Sequence, residues 1–148
     1  MAIRLSMKHT HRNASGPFGA VIVKGGKIVG RGFNRVTASN DPTAHAEIIA
    51  IRAACRKLKT FRLSGCEVYT SCEPCPMCLA AIYWARVRRV YFAATQGDAK
   101  RAGFDDELIY RELARPMTRR RIPMKQVLRR EAVSALEAWR NSLSKITY

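Results

Sequence analysis

Apolar and polar positions alternate with a period of two early in the chain and then switch to a helical period several times, the pattern of a domain that interleaves strands with helices. Ala20-Val21-Ile22-Val23-Lys24 and Lys27-Ile28-Val29-Gly30-Arg31 flank Gly25-Gly26. A two-glycine link between such runs predicts a hairpin, so the first two strands are expected as antiparallel neighbours. Asn40-Asp41-Pro42-Thr43 reads as a helix entrance, and beyond it Ile48, Ile51, Ala54, Cys55 and Leu58 recur on one face, predicting a long helix over 44–58. Further on, the pattern predicts a strand over 66–70, a helix over 76–86, a strand over 89–94, a helix over 106–113, a strand over 122–128 and an amphipathic helix over 131–145. With a helix at the N-terminus the order is αββαβαβαβα, an α/β fold with five strands.

The 148 residues fit one domain, which at this size buries about 70% of the surface its unfolded chain exposes and needs no disulfides. Five cysteines are an odd count, no apolar run approaches the ~20 residues of a membrane span, and Met1 to Asn13 lacks the apolar segment of a secretory signal. A cytoplasmic protein without a membrane partner is therefore expected. The net charge of +16, from 27 Lys and Arg against 11 Asp and Glu, suggests nucleic acid, since phosphate neutralisation by basic side chains dominates such binding. Its distribution argues otherwise. No residue before Asp41 is acidic, the stretch 52–62 carries five basic residues and 113–130 seven, so the charge is diffuse where a binding stripe would be focused. Arg119-Arg120-Arg121 reads as solvated surface.

Chemistry concentrates in Thr70-Ser71-Cys72-Glu73-Pro74-Cys75-Pro76-Met77-Cys78, read together with His45-Ala46-Glu47. These stretches offer an imidazole, two thiolates and a carboxylate, the parts of a zinc site that keeps its fourth position open beside a proton carrier. A spacing of H-x-E followed by P-C-x-x-C is the signature of the zinc deaminases. A dithiol redox motif would have no use for His45-Ala46-Glu47, and an iron–sulfur run lacks its fourth cysteine. Recruiting Cys72 as a fourth zinc ligand would close the site and leave Glu47 without a task. Cys55 and Cys66 read as small buried hydrophobes, His9 and His11 as exposed and idle, and Glu73 as an acid at a helix entrance.

Several stretches together resemble the bacterial zinc-dependent guanine deaminases of the cytidine-deaminase-like superfamily. They are Gly16-Pro17-Phe18-Gly19-Ala20-Val21, Ser39-Asn40-Asp41-Pro42-Thr43-Ala44-His45-Ala46-Glu47, the cysteine run, Ala81-Ile82-Tyr83-Trp84-Ala85-Arg86, Ala102-Gly103-Phe104-Asp105-Asp106 and Trp139-Arg140-Asn141. The second stretch and the cysteine run are shared with tRNA adenosine deaminases, whereas Gly-Phe-Asp-Asp and the Trp-Arg-Asn tail resemble guanine deaminase. The resemblance implies a three-layer αβα sandwich around a mixed five-stranded sheet and a single deaminase domain over 1–148. It also implies one Zn2+ per subunit held by His45, Cys75 and Cys78, with Glu47 as proton shuttle. A purine pocket would involve Phe18, Asn34, Trp84, Asp106 and Tyr148, and a C-terminal segment of about 131–148 would be exchanged between the subunits of a homodimer. The family usually carries another turn or more of helix ahead of the position of Ala2, so a late start or a short first helix is expected.

These residues suit that chemistry. A tryptophan offers an apolar face to a flat base, and an asparagine offers a donor and acceptors to its edge. An ionised Asp106 only accepts, which matches the N–H groups of guanine. The same residues have quieter uses: Trp84 as core, Asn34 as a turn former, and either member of Asp105-Asp106 as a helix cap. The expected reaction is hydrolytic deamination of guanine to xanthine and ammonia. The alternatives are a tRNA adenosine or free-nucleoside deaminase, and a non-catalytic nucleic-acid-binding protein stabilised by zinc.

Overall fold

Four strands form one mixed sheet in the computed structural model, which describes residues 1–10 and 15–147. The strands are β1 (Gly19–Lys24), β2 (Lys27–Phe33), β3 (Cys66–Cys72) and β4 (Arg89–Ala94), in the order β2-β1-β3-β4. β1 pairs antiparallel with β2 and with β3, and β3 runs parallel to β4. Gly25 and Gly26 turn the expected hairpin with φ of +54° and +73°, values that glycine reaches at little steric cost.

The helices are α1 (Ala2–Thr10), α2 (Val36–Ser39), α3 (Ala46–Leu58), α4 (Pro76–Trp84), α5 (Gln96–Arg101), α6 (Glu107–Ala114) and α7 (Arg129–Asn141). They belong to two compact units, 1–106 and 107–148. In the first unit α1 lies over the sheet face on which Gly19 sits, its Ala2 carbonyl and Ser6 amide pressed against that glycine. The opposite face carries α3 and α4: Ala20, Ile22 and Val68 of the sheet pack with Ala46, Ala50 and Ala54 of α3 and Ile82 of α4, all buried. Small side chains on both sides let α3 settle close to the sheet, so its first turn has a fixed height above β2. The layers are therefore α1, sheet, and α3 with α4.

In the second unit, Glu112 holds the turn after α6, taking an ion pair from Arg115 at 2.8 Å and a hydrogen bond from the Arg121 amide at 2.6 Å. None of the described residues of α6 or α7 is buried.

Three expectations need correction. No strand forms over 122–128, so the sheet has four strands; this segment is exposed, contains Pro123, which cannot donate to a ladder, and has no pairing partner among the described residues. The long helix begins at Ala46 because Asp41 Oδ1 accepts from the Thr43 amide at 2.8 Å and hydroxyl at 2.7 Å, organising a turn ahead of His45, which is extended. Finally, His9 is half-buried and stacks on Phe33 with ring centroids 3.5 Å apart; His11 lies outside the described residues.

Candidate metal centre and base pocket

Two helix entrances face each other. His45 is the N-cap residue of α3 and Cys75 that of α4, both with extended backbone (φ −69°, ψ 156° and φ −63°, ψ 168°), and neither side chain caps its helix. A good cap is worth about 1 kcal/mol, so both positions forgo stability to turn their side chains elsewhere. They turn to each other. His45 Nδ1 lies 3.6 Å from Cys75 Sγ and 3.5 Å from Cys78 Sγ, Cys78 being in the first turn of α4. Pro76 at the start of α4 sacrifices only an amide that the helix cannot use.

The three donor atoms lie within 4.8 Å of one another, and their spacing can be tested against a metal. Tetrahedral zinc with Zn–S of about 2.3 Å and Zn–N of about 2.0–2.1 Å places a sulfur and a nitrogen about 3.6 Å apart, as found here. Two positive helix ends point at the cluster and favour the thiolates that zinc requires. The donated hydrogen bond from Cys78 holds the Cys75 thiol down to about 4, with His45 adding to the effect. Cys78 moves the opposite way, kept protonated by its bond to Cys75, by burial and by the Glu47 carboxylate. The pair alone thus holds one thiolate and one thiol, and a dication is what brings out the second. His45 is raised above the ordinary histidine value, chiefly by the Cys75 sulfur and further by Glu47 and Asp106.

Glu47 is buried in the first turn of α3. Thr70 Oγ1 of β3 donates to its Oε1 at 2.7 Å, while its Oε2 stands 3.4 Å from Cys78 Sγ. One oxygen is held and the other faces the cluster. Cys72 is buried with its Sγ directed at the Thr95 carbonyl, 3.6 Å away, outside the donor group.

Three of the expected pocket residues, Phe18, Asn34 and Asp106, are linked to the His45 turn through short contacts or charge. The Asn34 amide donates to the Phe18 carbonyl at 3.0 Å, and the next amide, of Arg35, donates to Ala44 O at 2.9 Å. Asn34 is buried and its Oδ1 accepts from the Val36 amide at 3.2 Å, so it also shapes the turn into α2. Phe18 meets the ring of Phe104 edge-on, centroids 4.8 Å apart. Asp106 acts electrostatically on His45 and accepts from Gln96 Nε2 at 2.7 Å, whereas Asp105 pairs with Lys100 at 3.6 Å.

Trp84 is not brought to this group. It ends α4, nine residues beyond Cys75, or about 13 Å along the axis at helical rise. There it is 61% exposed and lines a surface hollow with Ala80, Tyr83 and Arg86. Tyr148 lies outside the described residues. Sequence reasoning passed over Thr70, Gln96 and Phe104. Thr70 is a polar residue on the inward face of β3, Gln96 is the second residue of a T-x-x-D cap, and Phe104 sits inside a motif already noted. Glu73 is indeed a helix-entrance acid, but for α5: its Oε2 accepts from the Gln96 amide at 2.9 Å.

A His–Cys–Cys cluster with an unligated carboxylate, set at two helix entrances on a mixed sheet, defines the class of zinc-dependent nucleobase deaminases. Residues 1–94 match the family of the cytidine and deoxycytidylate deaminase zinc-binding region. Guanine deaminase of Bacillus subtilis is 53% identical over 147 residues, covering 99% of this chain and 94% of that protein; its X-ray structure superposes with a TM-score of 0.95 over the same shares. Guanine deaminase from Nitrosomonas europaea is similar at 36% identity and TM-score 0.67, over 71% of this chain and 61% of that one. The tRNA-specific adenosine deaminase of Aquifex aeolicus is 48% identical over 87 residues, 59% of this chain and 56% of that protein. The chain belongs to the cytidine and deoxycytidylate deaminase zinc-binding family, on its guanine deaminase branch, and His45, Cys75 and Cys78 are a group of donors that could hold a metal ion.

Proposed function

We propose that this protein deaminates guanine hydrolytically, converting guanine and water to xanthine and ammonia. The observation that carries the reading is Glu47: buried, held at one oxygen by Thr70, and directing the other at a cluster of three metal donors. Near full-length similarity to a guanine deaminase supports the choice of base. Zinc, when bound by His45, Cys75 and Cys78, supplies the Lewis acid that makes a water nucleophilic near neutral pH. Glu47 takes the proton of the attacking water and delivers it to a ring nitrogen as the water oxygen bonds to the carbon bearing the amino group. It then takes the proton of the new hydroxyl and passes it to the amine as the carbon–nitrogen bond breaks and the carbonyl forms, so one carboxylate serves two transfers. Asp106 accepts from the N–H groups of the base, Phe18 packs against its face and Asn34 addresses its edge.

We assign Tyr148 to the same pocket through a second subunit, with the segment of about 131–148 exchanged in a homodimer. Support comes from α7, which spaces Val133, Leu136 and Trp139 at three-residue intervals and has no buried residue. The five free cysteines, two of them proposed metal donors, suit a reducing compartment, which supports a cytoplasmic enzyme. A tRNA adenosine deaminase is the second reading, favoured by the +16 charge and opposed by the partial extent of that match. Ammonia release from guanine, guanosine, cytosine and a tRNA anticodon stem-loop decides between them: turnover of guanine is expected, and turnover confined to the RNA overturns the proposal.

A further inference from the structure

Gln96 is tied at both ends. Its backbone amide donates to Glu73 Oε2 at 2.9 Å, and its side-chain Nε2 donates to Asp106 Oδ1 at 2.7 Å. It is the first residue of α5, whose entrance is fixed by a capping box: Asp98 Oδ2 accepts from the Thr95 amide at 2.8 Å and its hydroxyl at 2.7 Å, while the Asp98 amide donates to Thr95 Oγ1 at 3.2 Å. Two orphan donors are thereby satisfied and the first turn is held rigid. Glu73, in turn, lies two residues before Cys75.

The geometry points to Gln96 as a positioning residue for base recognition: it orients the Asp106 carboxylate and keeps it in register with the metal loop through Glu73. This rests on Asp106 reading the N–H edge of guanine. An ionised carboxylate is acceptor-only, so the Gln96 amide presents its NH2 group to it, and the bond to Oδ1 sets the carboxylate plane and the direction of Oδ2. Without that bond, Asp106 rotates about its own side chain and must be ordered each time a base binds. A hydrogen bond to a charged group of this kind is worth about tenfold to a hundredfold in binding. Because the contact is made alike in the bound base and in the transition state, its loss raises KM and spares kcat.

The test is a double-mutant cycle in the zinc-loaded enzyme, with guanine as substrate. Gln96→Leu should raise KM by about tenfold or more, with kcat within about threefold of wild type and with unchanged zinc content and melting temperature. In an Asp106→Ala background, itself raised in KM, Gln96→Leu should add less than about twofold. Equal effects in both backgrounds would show that Gln96 merely supports α5, and an unchanged KM in Gln96→Leu or in Asp106→Ala would remove its role; each result overturns the inference while guanine deamination stands. A wild-type enzyme that releases no ammonia from guanine overturns the functional reading and this inference with it.

Discussion

Gly32→Ala places one methyl group where the structure has no room, and it does so directly beneath the catalytic turn. A Cβ at Gly32 would lie 2.0 Å from the Ala46 carbonyl oxygen and 2.6 Å from the Ala50 amide nitrogen. Both are backbone atoms of α3, so no side chain can rotate away. Restoring ordinary contact requires the first turn of α3 to rise by about 1 Å or more, at an overpacking cost of about 1–3 kcal/mol. Ala46 stands between His45 and Glu47, so the displacement passes to a metal donor and to the proton carrier. A 1 Å misplacement can cost about a hundredfold in rate. The predicted variant thus melts several degrees lower, binds zinc more weakly and loses about a hundredfold in kcat. Gly25→Ala is the matched control. Its Cβ meets nothing within 4 Å, but φ of +54° makes it strained, so it should lose about 1 kcal/mol of stability and keep zinc and turnover. Thermal melts, zinc-to-protein ratios and guanine kinetics on the two variants read all three quantities. A Gly32→Ala enzyme with full zinc and wild-type kcat would refute the claim that the closeness of α3 to β2 sets the site.

Thr70→Val removes the donor to Glu47 Oε1 and should lower kcat by about tenfold or more, with Thr70→Ser restoring most of it; equal rates in Thr70→Val and wild type would free Glu47 from that role. Chelation should abolish activity reversibly and lower the melting temperature by about 10 °C, since a ligand at a thousandfold excess over its Kd adds about 4 kcal/mol. Calorimetry with and without zinc measures the shift, and an unshifted melt would mean that the metal is not bound by α3 and α4. Mixing inactive Glu47→Gln subunits with Tyr148→Ala subunits should regain guanine turnover if Tyr148 completes its partner's site; a mixture as inactive as its components contradicts subunit exchange.

The parts of this fold legible in the sequence are those fixed by local chemistry. Gly25-Gly26 marks the hairpin because only glycine adopts both positive φ values without strain, and the cysteine run marks the α4 entrance because Pro76 fits that position. The grouping of His45, Cys75 and Cys78 is readable from spacing, since both halves sit at helix starts. What could not be read depends on partners distant in sequence. The segment 122–128 has strand-like composition, yet a strand exists only where a neighbour completes its ladder. Trp84 has the right chemistry for a base platform, but its position nine residues along α4 is a matter of helix length. Gln96 carries no signal of its own; only the packing of α5 discloses what its amide meets.

The most direct test of the central claim is ammonia and xanthine formation from guanine, measured side by side on zinc-loaded wild type and Glu47→Gln. The amide is isosteric and can still accept from Thr70, so the variant should fold and hold zinc as wild type does, while losing about a thousandfold in turnover, the middle of the range that a general acid–base contributes. Xanthine formation by wild type, with almost none from a fully metallated Glu47→Gln, is the predicted result. Near wild-type turnover by Glu47→Gln, or no product from wild type, would contradict the account.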